Sequence, residues 1–313
     1  MTTSPQNIIF MGSPAFAVPS LRLLASQFNI VAVYTQPPRP AGRGQELQKT
    51  AVHTLADELG LNVYHPEKLK GDALDTLMGI DCDVLAVVAY GLLLPRTLVE
   101  SRLCLNLHPS ALPRWRGAAP LQHTLLSGDA ETDICIMRLD AGMDTGPVYS
   151  RTPLAVPPNM TYGELHDTCA GLGAEQLAAV LHQLPGLQPE PQSGEATHAF
   201  KLTAEHRAIN WSRSAESIHN QIRAFSPAPG ATALFEGEQL KVQGSAVIAS
   251  GGAPTPGEVL HLDADGLTIA CGSGAIHLSQ LQRPGKKMLP VAQVAQGWPA
   301  LQPGSQFTSI LPE

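Results

Sequence analysis

The sequence predicts an α/β domain with a parallel sheet, followed by a small β-barrel domain. Within residues 1–188, apolar runs of strand length alternate with segments of helical periodicity, as in parallel sheets with right-handed crossovers. Within residues 207–313, short alternating runs are separated by Gly or Asp turns, which is typical of small barrels. Residues 185–204 are rich in Pro, Gln, Gly and Glu and lose periodicity, so a linker is predicted at 189–206.

The first domain opens with a buried-type strand at 7–12. The helix expected at 16–28 places Val18, Leu21 and Leu24 on one face. The same alternation predicts the remaining elements of this domain: strand 30–35, helix 50–59, strand 62–64, strand 83–88, strand 103–108, a helix after Gly117, two strands joined by a turn across 134–149, and helix 161–184. The sequence therefore describes a sheet of several parallel strands connected by helices.

The long helix has a recognisable start, because Thr161 and Glu164 have the spacing of a capping box. A further helix is expected at 215–224, after the linker. Four short runs then follow within 231–281, each bounded by Gly or Asp. From this pattern alone, the second domain is a small β domain.

One loop of the first domain carries an unusual cluster of basic residues. Residues 36–49 are too rich in Pro, Gly and charge for regular structure, and they include Arg39, Arg43 and Lys49. The loop follows the carboxyl end of a predicted strand. The ordinary interpretation is a solvated surface loop.

A candidate site lies at the end of the strand 103–108. Leucines alternate there with Cys104, Asn106 and His108, so Asn106 and His108 share a face before Pro109 ends the strand. The carboxyl ends of strands in open α/β sheets are where ligands bind. An amide can stabilise a developing oxyanion, and a histidine can transfer a proton at neutral pH. The alternative is that Asn106 caps a turn and His108 is an ordinary loop histidine.

Carboxylates follow in a second segment, ICIMRLDAGMDTGPVY, across 134–149. Asp140 and Asp144 fall in its Gly-rich turn, where a carboxylate could orient an imidazole or relay a proton through water. Asn, His and Asp on two loops suit acyl transfer. Because no activated Ser or Cys accompanies them, direct transfer is favoured over a covalent intermediate.

These two motifs together resemble the folate-dependent formyltransferases. The pattern N-x-H-x-S-x-L-P-R-W-R-G-A-A-P, followed by D-x-G-x-D-T-G, is highly specific, and the likeness runs from Ile8 to about Lys287. The resemblance implies a Rossmann-like formyltransferase domain followed by an OB-like barrel that contacts tRNA. The family usually reads H-G-S-L-L-P, whereas this chain has Pro109 and Ala111, which remove a backbone donor and a bulky apolar group.

The resemblance also implies an activity, catalysed by the branch of the family that acts on tRNA. A formyl group would pass from 10-formyltetrahydrofolate to the amino group of initiator methionyl-tRNA, for translation initiation. Asn106 and His108 would stabilise the oxyanion, and His108 would protonate the leaving N10. Asp144 would hold His108 or accept the proton of the amine through water.

Further site residues follow from the resemblance. The segment V-A-Y-G-x-x-L-P would form one wall of the pterin pocket, and the loop after His108 would complete it. The implied folate contacts are Ala89, Tyr90, Gly91, Leu92, Ser110, Ala111, Leu112 and Pro113. The loop P-x-R-P-A-G-R-G would reach the acceptor end of the tRNA. The basic residues expected at tRNA are Arg39, Arg43, Lys286 and Lys287.

Composition and charge argue against several classes of protein. The net charge of −7 argues weakly against a nucleic-acid partner, so a tRNA would need local basic patches. Five scattered cysteines without metal spacing indicate free thiols in a reducing cytoplasm and no metal site. We see no secretory signal, and the longest apolar run, 84–94, is too short to span a bilayer. A cytoplasmic monomer without a membrane partner is expected.

Two alternatives stay open at this point. The chain could be another folate-dependent formyltransferase, acting on a small amine, a sugar nucleotide or a purine precursor. It could also be a catalytically silent RNA-binding protein on the same scaffold. The intact Asn–His–Asp set speaks against the silent protein, while the Arg43 loop and the complete second domain speak against the small substrates.

Overall fold

The structure, a computed structural model, describes residues 5–41, 44–248 and 255–309. The chain divides into two compact units, each built from several segments. The first unit comprises Met1–Gly117, Glu131–Ala155 and His166–Ala199, and the second comprises Ala118–Ala130, Val156–Leu165 and Phe200–Glu313.

The strands and helices are numbered in chain order. The strands are β1 Asn7–Gly12, β2 Asn29–Tyr34, β3 Arg39–Ala41, β4 Glu46–Gln48, β5 Val63–Tyr64, β6 Val84–Val88, β7 Cys104–His108, β8 Arg116–Gly117, β9 Glu131–Arg138, β10 Val148–Ala155, β11 His198–Ala199, β12 Ala231–Phe235, β13 Glu238–Ile248, β14 Val259–Leu262, β15 Leu267–Ala270, β16 Ala275–Gln282, β17 Leu289–Pro290 and β18 Phe307–Thr308. The helices are α1 Val18–Gln27, α2 Ala51–Glu58, α3 Asp72–Gly79, α4 Arg96–Ser101, α5 Pro120–Ser127, α6 Tyr162–Gln183, α7 Ala215–Ala224 and α8 Val291–Gln296.

The first unit is built on a seven-stranded sheet in the order β10-β9-β7-β6-β1-β2-β5. Strands β7, β6, β1, β2 and β5 are parallel, whereas β9 and β10 pair antiparallel at one edge. The central strand β6 is buried along its whole length, as expected for a strand covered on both faces. This sheet confirms the predicted Rossmann-like α/β class.

The second unit contains an antiparallel sheet in the order β14-β15-β16-β13-β12-β18, with β17 added to β16. The sheet curls, because β14 at one end of the strand order is bonded to the residues that precede β18 at the other end. The amide of Val259 donates to the Ser305 carbonyl oxygen over 2.9 Å. Trp211, Phe235, Trp298 and Phe307 form an aromatic cluster in its core. The small β domain is thus confirmed.

Arg223 joins separate segments of the second unit. Its side chain is 4 % exposed, and its guanidinium donates to the carbonyl oxygens of Leu125, Pro157 and Met160 over 3.3–3.4 Å. Burial lowers the pKa of this guanidinium, while Asp129 opposes the shift. Helix α5 packs on α7 in the same unit, so α5 belongs with the barrel although the sequence division placed it in residues 1–188.

Local structure differs from expectation in three further places. Helices α3 and α4 were not predicted, and the six residues of α4 are too few to show helical periodicity. The basic loop 36–49 contains a short hairpin of β3 and β4 rather than wholly irregular backbone. The predicted linker is ordered up to Ala199, where β11 pairs with β8. Across the described residues, none of the helices has the length and apolar character that a membrane span requires.

Candidate active site

His108 ends β7 and is held between two oxygen atoms. Its side chain is almost fully buried, with Nε2 3.0 Å from the carbonyl oxygen of Trp115. Because a carbonyl oxygen only accepts, Nε2 donates this hydrogen bond. On the other side of the ring, Nδ1 lies 3.7 Å from the Asp144 carboxylate oxygen Oδ2. The ring orientation is therefore fixed by a backbone carbonyl and faces a carboxylate.

Asp144 reaches His108 because the turn between β9 and β10 folds back along β7. The turn begins near the start of β7, where the Leu139 amide donates to the Cys104 carbonyl oxygen over 2.8 Å. Asp140 orders it internally, since its Oδ1 accepts from the Gly142 amide and from the Thr145 hydroxyl. Thus one of the two predicted carboxylates contacts the histidine, and the other shapes the turn.

The Asp144 carboxylate is also bound by backbone. Its Oδ2 accepts a hydrogen bond of 2.8 Å from the amide of Gly117. Gly117 has φ 122° and a Cβ there would lie 2.8 Å from the carbonyl oxygen of Ala199, so a side chain would not fit. This glycine therefore allows the loop after His108 to reach the carboxylate.

Asn106 lies two residues before His108 on β7, so the two side chains share a face. Asn106 is partly exposed, and it is paired in register with Val87 of β6. Because β6 and β7 are parallel, continuing this register brings Ala89 level with His108. The structure thus places Asn106, His108 and the start of the 89–92 segment at one edge of the sheet.

The segment 89–92 presents backbone rather than its aromatic ring. Ala89 is exposed with φ 48°, whereas the Tyr90 ring is 2 % exposed within the apolar core. The buried Tyr90 hydroxyl has no hydrogen-bond partner among the described residues, and burial raises its pKa to about 12. The Tyr90 carbonyl oxygen accepts from the hydroxyl of Ser13 over 2.9 Å and from Gln36.

The predicted folate contacts after His108 are mostly internal. Ser110, Leu112 and Pro113 are buried, and their polar groups are used within the fold. The Ser110 carbonyl oxygen accepts from the thiol of Cys135, and that of Leu112 accepts from Arg151 over 2.7 Å. Ala111 is partly exposed. Three of these four residues therefore support the loop, and Ala111 is the one open to a ligand.

The residues predicted to contact tRNA belong to two segments of the chain. Arg39 is exposed on the hairpin and donates to Gln36 over 3.3 Å, while Arg43 lies outside the described residues. Lys286 and Lys287 are exposed on the turn between β16 and β17 of the second unit. Within the described ranges, His, Cys, Asp and Glu side chains form no group of three or more that could hold a metal ion.

Some residues of the site were not predicted from the sequence. The Trp115 carbonyl and the Gly117 amide contribute through backbone atoms, which leave no side-chain signature. Gln192 and Thr197 also bond to the two loops, but they fall in the segment predicted as a linker. Gln192 and Thr197 could have been recognised as site residues only if this segment had been predicted to be ordered.

Family models place the chain among known proteins. The model described as formyl transferase matches residues 7–181, and that described as formyl transferase, C-terminal domain, matches 201–299. A methionyl-tRNA formyltransferase of Paracoccus denitrificans is 46 % identical over 295 residues, covering 93 % of this chain and 97 % of the relative.

Solved structures share the fold at lower identity. An N-formyltransferase from Helicobacter canadensis, in complex with folinic acid and dTDP-3-aminofucose, has a TM-score of 0.66 at 17 % identity, covering 90 % of this chain and all of that one. HypX from Aquifex aeolicus in complex with tetrahydrofolic acid has a TM-score of 0.58 at 16 % identity. The match covers 94 % of this chain but only 47 % of HypX, so the chain spans about half the length of that protein. Since the family models together cover most of the sequence, the chain belongs to the formyl transferase family.

Proposed function

We propose that this chain transfers the formyl group of 10-formyltetrahydrofolate to the amino group of initiator methionyl-tRNA. The observation that carries the proposal is the contact of His108 with Asp144 beside Asn106, in a chain 46 % identical to a methionyl-tRNA formyltransferase over most of its length. The reaction would place it in the cytoplasm, where translation begins, and a monomer would suffice because His108, Asn106 and Asp144 belong to one chain.

Asn106 and His108 are spaced to share one oxygen atom. Side chains two residues apart on a strand are separated by about 6.6 Å, so donors from both can reach an oxygen placed between them. As the amine attacks the formyl carbon, negative charge develops on the formyl oxygen. The Asn106 amide then donates to it, and so does Nδ1 of a His108 ring protonated at both nitrogens, because Nε2 is already bonded to the Trp115 carbonyl oxygen.

The remaining steps are proton transfers. A new bond joins the amine nitrogen to the formyl carbon, and the bond from that carbon to N10 of the folate breaks. His108 supplies the proton that the leaving nitrogen takes up, while Asp144, 3.7 Å from Nδ1, accepts the proton lost by the amine. The net charge is unchanged, and transfer of the proton from Asp144 to His108, directly or through solvent, restores the starting protonation of both groups.

The folate and the tRNA would use different surfaces. Exposed backbone at Ala89 and Gly91, with Ala111, is open to the pterin ring. The Arg39–Arg43 loop and the Lys286–Lys287 turn supply cations for phosphates. We accordingly propose catalysis by the region 1–188 and tRNA contact by the region 207–313.

An amino sugar nucleotide is the second candidate substrate. The observation that favours it is the fold shared with the Helicobacter canadensis enzyme, whose structure contains dTDP-3-aminofucose. Both substrates present an amine to a formyl donor, so the site chemistry does not separate them. The substrate must be decided by assay.

The assay offers the protein 10-formyltetrahydrofolate with one amine at a time. The amines are charged initiator methionyl-tRNA, free methionine and dTDP-3-aminofucose, and N-acetylated methionyl-tRNA serves as the blocked control. We expect formylation of the charged tRNA alone, measured as acid-stable formylmethionine after deacylation. Transfer to the sugar nucleotide with none to the tRNA would replace the proposed substrate, and no transfer to any amine would reject the activity.

A further inference from the structure

The two residues that contact His108 share an unusual backbone conformation. Trp115, whose carbonyl oxygen accepts from Nε2, has φ 60°, and Asp144, which faces Nδ1, has φ 52°. Residues other than glycine rarely adopt this left-handed region, because Cβ then crowds the backbone. Such conformations persist where surrounding contacts hold them. Both partners of His108 therefore need external support.

A single segment, residues 190–199, supports both of them. The side-chain amide of Gln192 donates from Nε2 to the carbonyl oxygens of Asp144, over 2.9 Å, and of Gly146, over 2.8 Å. Five residues later, the Thr197 hydroxyl oxygen accepts from the amide of Trp115 over 2.9 Å. Each left-handed residue is thus bonded through its own backbone to a side chain of this segment.

The segment is itself bound to the loop after His108. Arg116 donates to Gln192 Oε1 twice, from Nε over 3.0 Å and from NH2 over 2.7 Å. The Arg116 amide donates to the Thr197 carbonyl oxygen over 2.9 Å, and β11 continues this pairing. At its other end, Glu190 pairs with Val148 at the start of β10. Segment 190–199 therefore connects the Trp115 loop to the Asp144 turn.

We propose that Gln192 and Thr197 are positioning residues for His108, an inference that rests on the proposed function. Both polar atoms of the Gln192 side chain form hydrogen bonds. Nε2 donates to the carbonyl oxygens of the Asp144 turn, and Oε1 accepts from Arg116. Thr197 binds the amide of Trp115, the residue whose carbonyl oxygen orients the imidazole. Neither side chain needs to touch the folate or the amine for this role.

The expected effect is on turnover rather than on substrate binding. Without the Gln192 amide, the Asp144 carbonyl loses its partner and the turn is free to leave its left-handed conformation. A displacement of about 1 Å at a reacting group lowers rates by about 100-fold. We expect kcat to fall about 10- to 100-fold, with KM for either substrate changed by less than about threefold.

Four variants of the full chain test this. Gln192→Met keeps the length of the side chain but removes both polar ends, and Gln192→Glu keeps the acceptor for Arg116 while replacing the donor. Thr197→Val keeps the shape and removes the acceptor for Trp115. Gln188→Met is the matched control, because Gln188 is exposed and lies in the same Pro-rich stretch. We expect the first three to lose turnover and the control to keep it.

A second readout does not require activity. Nitrogen and carbon NMR signals of the His108 ring report its hydrogen bonds, and we expect them to shift in the three variants but not in Gln188→Met. Amide hydrogen exchange at 114–117 and 141–147 should become faster in the same variants. If the unaltered chain formylates nothing, the proposed function fails while these measurements still test the positioning role.

The proposal would be overturned by unchanged kcat and unchanged His108 signals in both Gln192→Met and Thr197→Val. It would also be overturned if kcat fell without any change at His108, because the segment would then act elsewhere. A rise in KM alone would assign the segment to substrate binding. Gln192→Glu keeps the contact with Arg116, so it preserves a folded segment if Gln192→Met unfolds the chain.

Discussion

His108, at the end of β7, and Asp144, in the turn between β9 and β10, face each other across 3.7 Å, from Nδ1 to Oδ2. The separation is too long for a hydrogen bond, and Oδ2 is instead bonded to the Gly117 amide at 2.8 Å. The carboxylate is therefore fixed by backbone before any substrate binds. A charge held in place at this distance acts on the histidine without having to reorganise.

The three side chains at the sheet edge should be required for turnover. We expect Asn106→Ala, His108→Ala and Asp144→Ala each to lower kcat by about 10²- to 10³-fold while the protein stays folded. Asp144→Asn keeps an acceptor for the Gly117 amide but loses the negative charge. If the charge is what matters, its kcat should fall as far as that of Asp144→Ala.

Steady-state formylation of methionyl-tRNA measures these effects, with circular dichroism to check folding. His261→Ala is a suitable control, since His261 is exposed in the second unit. The combined losses should be far from additive, because the groups act together. Near-normal turnover in any single variant would remove that residue from the mechanism.

Ser13 should matter for folate although it lies outside the predicted contacts. Its hydroxyl donates to the Tyr90 carbonyl oxygen, which fixes the 89–92 segment. A net hydrogen bond contributes about 1 kcal/mol, so Ser13→Ala should raise the folate Kd about fivefold. Titration of a fluorescent folate analogue measures this, with the exposed Ser26→Ala as control. An unchanged Kd would show that the segment keeps its conformation unaided.

The basic hairpin loop should serve the tRNA alone. We expect Arg43→Ala to raise KM for methionyl-tRNA and to leave the folate Kd unchanged, and Arg39→Ala to have the same effect to a smaller degree. Arg39 is exposed and donates to Gln36, so its loss should not disturb the core. The exposed Arg22→Ala is the control. A folate Kd that rises along with the tRNA KM would indicate damage to the fold instead.

Lys286 and Lys287 provide a salt-dependent test of the second unit. Both are exposed, whereas the neighbouring Arg283 is engaged by Glu238 and lies over the Trp298 ring. If each lysine contacts one phosphate, replacing both by Ala should weaken tRNA binding. The slope of log K against log salt should then decrease by about 1.5 to 2.

Binding titrations at four salt concentrations give that slope. Lys68→Ala combined with Lys70→Ala removes the same charge from the first unit and serves as the matched control. An equal loss of slope in both pairs would mean that only the overall charge matters.

Alkaline pH should destabilise the fold through its buried thiols. Burial raises the pKa of Cys104 and Cys169 to about 12, and of Cys135 and Cys271 to about 11, from 9.0. Above pH 9 the unfolded chain loses these protons while the folded chain keeps them. The free energy of unfolding should therefore fall as the pH rises from about 9 towards 11.

Urea unfolding between pH 7 and 10.5 measures this dependence. The same thiols should react slowly with alkylating reagents at pH 8 and rapidly after denaturation, because only the thiolate reacts. A constant free energy of unfolding over this range would mean that the thiols ionise in the folded state.

The sequence predicted the parts of the molecule that carry periodic patterns. Alternating leucines gave β7 within one residue, and a wholly apolar run gave β6. The capping box of Thr161 and Glu164 is present, since the Glu164 carboxylate accepts from the Thr161 amide over 2.8 Å. Asn106, His108 and Asp144 could be singled out because they place an amide, an imidazole and a carboxylate at a strand end and in a turn, where ligands bind in such sheets.

The elements and contacts that the sequence did not predict have no repeating pattern of residues. Strands β8 and β11 have two residues each, which is too few for a period of two to appear. The bonds to His108 and Asp144 come from backbone atoms of Trp115 and Gly117, which every residue possesses. The loss of periodicity across segment 190–199 indicated irregular backbone, but irregular backbone can still be ordered by side-chain bonds such as those of Gln192 and Thr197.

The bonds from Arg223 have a consequence for synthesis of the chain. Leu125, at the end of α5, precedes Arg223 by 98 residues. A ribosome adding about 5 to 20 residues per second takes about 5 to 20 s to make that stretch, so α5 waits that long for α7. During the interval Leu121 and Leu125, buried in the finished protein, lack their final neighbours. A fragment ending before α7 should retain this exposed apolar surface and aggregate, whereas the full chain covers it as soon as α7 is released.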